Sequence, residues 1–241
     1  MNIQYRVTLV ERFYQALRNL KERVEGYRYL SNATGRINWP DRSIYFFFEI
    51  GETRFENDEP RVVRIGTHAV TSSSGTSLWD RLRAHRGSLS GKYVDGGNHR
   101  GSIFRLHVGT AILRKRGWED EYPTWGVGSS AEKVTRIKEH PVERLVSQHI
   151  RSMPFLWLKV DDLPSPNSER AYLERNAIAL LSNYDKLGSE LSVDPPSENW
   201  LGKWCKNEYV KKAGLWNVEH VTEGFVDPDF LDRLRTRIED M

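Results

Sequence analysis

The sequence predicts an α+β fold: a small, mostly antiparallel three-stranded sheet flanked by helices, with helical additions at both ends. Three observations point there. Ser43–Glu49, Arg61–Gly66 and Phe155–Val160 are short runs rich in aromatic and β-branched residues, the length and composition of buried strands. Around them, apolar residues recur every three or four positions, the spacing of one helix face. The chain has 241 residues, 38% of them hydrophobic and 29% charged, enough apolar material for a sizeable core and not the composition of a disordered chain.

Taken in order, Leu9, Phe13, Leu17, Leu20 and Val24 predict a helix from about Val7 to Leu30. Residues 31–42 contain Asn-Ala-Thr-Gly and Trp-Pro-Asp and read as a loop. Polar residues 51–60 join the first two strands in a hairpin-like connection longer than a tight turn. Residues 71–77 form a flexible loop ending in an N-cap, Thr76 or Ser77, for a helix that stops near Gly87. After a Gly- and Ser-rich stretch, a helix starts near Gly101 and turns Phe104 and Val108 inward. An irregular stretch, 117–130, leads to a helix around Glu143–Ile150. Ser168 as N-cap and Glu169 in the first turn open a strong helix that runs to about Ser182. Shorter helices follow near Asn207–Ala213 and Asp229–Glu239. There is no internal repeat and no clean linker.

Composition excludes some classes. No run of about 18 apolar residues could span a bilayer. The N-terminal stretch carries charge among its apolar residues and lacks a signal-peptide layout. A single cysteine, Cys205, cannot form an internal disulfide, so a reducing, cytoplasmic setting is expected. A net charge of +3 permits a polyanionic partner without demanding one. The eight Trp are expected in packing rather than in base stacking.

The order of features is distinctive. A strand with Ser43-Ile44-Tyr45 precedes a strand with Arg64-Ile65-Gly66. A helix with Arg81-Leu82 and His85 follows, then a third strand, then a helix with Glu174 ahead of Ala177-Ile178-Ala179-Leu180-Leu181. Over roughly residues 40–86 and 150–183 this set resembles the GIY-YIG endonuclease family. The sequence departs from the family signature where Ser43 stands for the first Gly and Arg64 for the second Tyr. Its two half-motifs are further apart than usual, and a long segment, 87–150, is inserted before the third strand. The resemblance divides the chain into an N-terminal helical extension (1–39), a nuclease domain with its insertion (40–183) and a C-terminal extension packed on the core (184–241).

The resemblance implies a metal-dependent endonuclease that hydrolyses phosphodiester bonds in DNA, with Mg2+ or Mn2+ as cofactor. Its partner would be nucleic acid, double-stranded DNA, with no membrane partner. A lone domain of this kind often needs a dimer to cut both strands, and the sequence leaves the oligomeric state open. Glu174 would hold the metal. Its helix places it on the apolar-leaning side with Ile178 and Leu181, where a carboxylate is costly unless paired or metal-bound; pairing with Arg170 or Arg175 is the plainer alternative. Arg81 and His85, four apart on one helix face, would contact the scissile phosphate and assist proton transfer; a solvated face with Asp80, Arg83 and Arg86 is the alternative. Tyr45, sharing a strand face with Phe47, would orient or deprotonate the attacking water, or is a core tyrosine. Arg64 could supply the positive charge Tyr45 needs as a base, bind phosphate, or face solvent. The family also carries an Asn after the Glu helix. Asn183 is the first candidate and Asn199 the second.

Other signals are poorer. His68 has no assigned role, and His99 and His107 lack the companions of a zinc site. The 96–101 run and Arg114-Lys115-Arg116 read as a flexible loop and a helix end as readily as phosphate contacts. Two further readings fit the same residues: a nucleic-acid-binding module that kept the fold and lost catalysis, motivated by Arg64, and a protein-interaction domain.

Overall fold

The computed structural model describes residues 2–54, 57–71 and 74–241. Residues 72 and 73 of the expected 71–77 loop therefore lie outside the described residues. The sheet has four strands, not the three expected: β1 (Arg28–Tyr29), β2 (Ser43–Thr53), β3 (Pro60–Gly66) and β4 (Pro154–Lys159), in the order β1-β4-β2-β3 with every neighbouring pair antiparallel. The extra strand is two residues long, too short to leave a periodic signal. It lies in the stretch expected to be helical, because α1 (Ile3–Arg23) ends earlier than Leu30. Glu25 and Gly26 stop it by taking positive φ, 59° and 102°, and the Gly26 N–H returns to the Lys21 carbonyl.

β2 is the centre of the molecule and is covered on both faces, which is why its sequence is a continuous apolar run instead of an alternation. Ile44, Phe46 and Phe48 meet α1, α5 (Glu169–Leu181) and α7 (Phe230–Glu239). Tyr45 and Phe47 meet α2 (Leu78–Arg86), α3 (Ile103–Arg116) and α4 (Lys133–Ser152). Burying each such phenylalanine contributes about 2–3 kcal/mol.

A β-bulge shapes the second face. Phe47 pairs with Arg64 and Phe48 with Val62, so Val63 is the extra residue. Through it, Val63 and Arg64 both reach the Tyr45 side, while Val62 and Ile65 pack on the other.

The inserted segment is built on α3 and α4. Helix α4 starts at Lys133 rather than near Glu143 and runs through Pro141. Arg105 of α3, fully buried, donates to the Glu143 carboxylate at 3.1 Å, the Ser147 hydroxyl at 3.0 Å and the His85 carbonyl at 2.8 Å. One side chain thus ties the insertion to the end of α2. The 96–101 run wraps this arginine: a β-carbon on Gly97 would lie 2.2 Å from its guanidinium.

The C-terminal segment closes the β3 edge. The Trp216 N–H donates to the Val63 carbonyl at 2.7 Å, and the Asn217 amide pairs with both backbone groups of Ile65 at 3.1 and 2.8 Å. Covering an edge in this way removes a template for misassociation. The Trp200 and Trp216 indoles, from either side of α6 (Glu208–Ala213), both donate to Glu49 of β2, which also faces His149 at 3.1 Å. These tryptophans serve packing, as expected.

Candidate active site

Tyr45 sits mid-strand, fully buried, with its hydroxyl 3.1 Å from Nε2 of His85. Its antiparallel partner is Gly66, and the tyrosine ring lies directly over it: a β-carbon there would be 2.4 Å from the hydroxyl oxygen. The glycine of the second half-motif is therefore required by the tyrosine of the first.

Helix α2 carries His85 and Arg81 one turn apart. Ser77 caps it, accepting from the Asp80 N–H, and the Asp80 carboxylate returns to the Ser77 N–H. The His85 ring bridges Tyr45 and Ser102, whose hydroxyl is 2.9 Å from Nδ1 and also caps α3. Burial, then the charges of Arg81, Arg64 and Arg105, hold His85 well below its ordinary pKa, so the imidazole is neutral.

Arg64 enters from β3. One guanidinium nitrogen donates to the Trp216 carbonyl at 2.6 Å, and the group lies 4.7 Å from the centre of the Phe104 ring. Burial lowers its pKa, opposed by Tyr45 and Glu174. Arg81, by contrast, is held above its ordinary value, first by Tyr45 and then by Glu174, against burial. The Nε atoms of both arginines are buried without a hydrogen-bond partner among the described residues. Buried donors left open cost stability, and an anionic ligand would satisfy them.

Glu174, in the first half of α5, accepts from the Thr67 N–H through Oε1 at 3.0 Å. Burial pushes its pKa up, against the pull of Arg64, Thr67, His220 and Arg81. It is not paired with Arg170, which bonds Asp162, or with Arg175, which bonds Glu223. Its carboxylate lines an open cleft of about 850 Å3.

Tyr45, Arg64, Arg81, His85 and Glu174 are thus brought together from two strands and two helices. Asn183 is not. It lies beyond the end of α5, roughly 13 Å along the axis from Glu174 at the usual helical rise. Its amide oxygen accepts from Arg6 at 3.0 Å and the Val193 N–H at 3.1 Å, and its NH2 donates to the Val193 carbonyl at 2.9 Å. Asn199 is exposed beside Trp200.

His68 pins the start of β2, accepting from the Ser43 N–H at 3.3 Å and bonding the Thr76 carbonyl through Nδ1 at 2.8 Å. His99 stacks on Trp125 with ring centres 3.8 Å apart. Two residues at the site carried no sequence signal of their role: Ser102, legible only as a helix cap, and His220, far along the chain from Glu174.

The family model of the GIY-YIG domain matches residues 4–241. The chain belongs to the GIY-YIG family. No curated protein and no solved structure matches it. The family match runs through the insertion and both terminal segments, which in the structure are packed against the same sheet. GIY-YIG domains are nuclease-type domains that act on nucleic acid and typically depend on a divalent metal. Among the described residues no cluster of three or more His, Cys, Asp or Glu could hold a metal, and no helix is long and apolar enough to cross a membrane. Glu174 alone fits a hard cation. Oε2 has no hydrogen bond among the described residues, the residue lines an open cleft, and burial disfavours its charged form in the absence of a cation. Mg2+ bound through one carboxylate with most of its waters retained suits such a site.

Proposed function

We propose that this GIY-YIG domain is a metal-dependent endonuclease that hydrolyses phosphodiester bonds in double-stranded DNA, in a reducing, cytoplasmic setting. The observation that carries the reading is a buried Tyr45–His85 pair with two arginines, Arg64 and Arg81, whose charges act on Glu174, a carboxylate that lines an open cleft.

Tyr45 orients the attacking water and takes its proton as the tyrosine proton passes to Nε2 of neutral His85, whose Nδ1–H is held by the Ser102 hydroxyl. Arg81 and Arg64 place positive charge beside the site, stabilising the charge that grows on the phosphate oxygens in the transition state. Arg64 also stands where the family has its second tyrosine, beside Tyr45. Glu174 would hold Mg2+ or Mn2+, which when bound supplies Lewis-acid stabilisation of the phosphoryl oxygens. Residues 40–183 carry these groups, and 1–39 and 184–241 support them.

The test is cleavage of supercoiled plasmid, single-stranded DNA and RNA with Mg2+ or Mn2+ by the natural chain and by Tyr45→Phe. Metal-dependent cutting of the plasmid, falling about 100-fold or more in the variant, supports the reading. DNA binding that weakens with salt, with no cutting of any substrate, would favour instead the binding module suggested by Arg64.

A further inference from the structure

The cleft at Glu174 has a second wall, formed by the segment that follows α6. His220 stands on it, with Nδ1 2.6 Å from a Glu223 carboxylate oxygen. Glu223 is in turn held at 2.9 and 3.0 Å by Arg175, the residue after Glu174. The ring is therefore oriented from the same helix that carries the candidate metal ligand. Nδ1 is engaged, and Nε2 makes no hydrogen bond among the described residues.

One feature sets this dyad apart from an ordinary surface ion pair. The backbone of His220 is left-handed, φ 63°, a conformation that disfavours residues with a β-carbon and that a turn would reach more easily with glycine. Its partners are partly solvated, with Glu223 30% and Arg175 59% exposed, so the pairing stabilises the fold little. Strain held at a cleft by weak contacts is a pattern of functional positions. Glu174 and His220 line the same cleft, and Arg64 and Arg81 lie close to both Glu174 and Tyr45.

We propose that His220 is the proton donor to the leaving oxygen, an inference that rests on the nuclease reading above. In-line hydrolysis needs assistance on two sides of phosphorus. Tyr45 reaches the site from the central strand and serves the attacking water. His220 reaches it from the C-terminal segment, on the cleft that Glu174 lines. As the water oxygen bonds to phosphorus, the opposite P–O bond breaks and its electron pair stays on the leaving oxygen. That oxygen takes the proton from Nε2 of the imidazolium. His220 is left neutral with its Nδ1–H on Glu223, and solvent returns the proton. A carboxylate on the far ring nitrogen is the usual device for holding a catalytic imidazole in place.

The test compares DNA with oxygen or sulfur at the bridging position that leaves, the side being read from the product ends. Single-turnover rates are measured in Mn2+, which tolerates sulfur, for the natural chain and for His220→Asn, since asparagine accepts the left-handed turn. A thiolate leaves without a proton. The oxygen substrate should slow by about 100-fold or more in His220→Asn while the sulfur substrate stays within a few-fold of the natural rate. Glu223→Gln should show the same pattern with a smaller loss. Equal slowing of both substrates, slowing of neither, or recovery of the oxygen substrate in excess Mn2+ would overturn the assignment, the last by making His220 a metal ligand. If the natural chain cuts neither substrate, the nuclease reading itself fails; if it cuts both and His220→Asn cuts as fast, only this inference fails.

Discussion

Replacing Gly66 with alanine places a methyl carbon 2.4 Å from the Tyr45 hydroxyl oxygen and 2.5 and 2.6 Å from two carbons of its ring. Ordinary contacts would need about 1 Å more, so something has to move. The tyrosine ring is fully buried between Phe47 and His85, with ring centres at 5.7 and 5.9 Å. Displacing it costs about 1–3 kcal/mol for overpacking. Breaking the buried contact to His85 costs about 1–3 kcal/mol more. Together these are a large share of the roughly 5–15 kcal/mol that holds a domain folded. A shift of about 1 Å in the group that orients the water should also cut the cleavage rate by about 100-fold. Urea unfolding and single-turnover cleavage measure the two effects. Gly75→Ala, where the added carbon meets no atom within 4 Å, is the control. In a Tyr45→Phe background the ring still collides, so the stability loss should persist while the further loss of rate disappears. Wild-type stability and rate in Gly66→Ala would refute the proposed tyrosine placement.

Asn183→Ala removes an acceptor from buried Arg6 and both contacts to Val193. It should cost about 2–3 kcal/mol in urea unfolding while the single-turnover rate stays within about 3-fold; a large rate loss at unchanged stability would return Asn183 to the chemistry. Burial, chiefly, pulls His68 and His107 from the ordinary 6.5 to about 4. Below 6.5 the unfolded chain takes a proton at each that the folded chain refuses until about 4, so stability should fall across that window by up to about 3 kcal/mol per histidine. Unfolding midpoints at about pH 7 and about pH 4.5 should show a smaller acid loss in His107→Gln than in the natural chain; an equal loss in both would contradict the sign worked out here.

The parts of the molecule written in local sequence were legible. The three longer strands, the Ser77 and Ser168 caps and the helix faces that bear Arg81, His85 and Glu174 all follow from spacing over a few residues. What escaped is set by contacts between distant parts of the chain. Strand β1 exists because two residues pair with Phe155 and Pro154. Helix α4 continues through Pro141, where burial of Val142 and Val146 and the Arg105–Glu143 tie outweigh the lost backbone hydrogen bond. The clamp on Arg64 by the Trp216 carbonyl joins residues 152 positions apart. Position after the Glu helix suggested Asn183, but the turn there faces Arg6 and not the cleft. Ser102 and His220 enter only once the insertion and the C-terminal segment are folded against the sheet.

The central claim is that Glu174 holds the ion on which cutting depends. Glu174→Gln tests it most directly, because the amide oxygen can still accept from the Thr67 N–H while the charge is removed. The measurement is nicking of supercoiled plasmid with Mg2+ or Mn2+, with and without chelator, at matched unfolding midpoints. The natural chain should nick only with metal, and the variant should lose about 1,000-fold or more. A variant that nicks as fast as the natural chain, or a natural chain indifferent to chelator, would contradict the account.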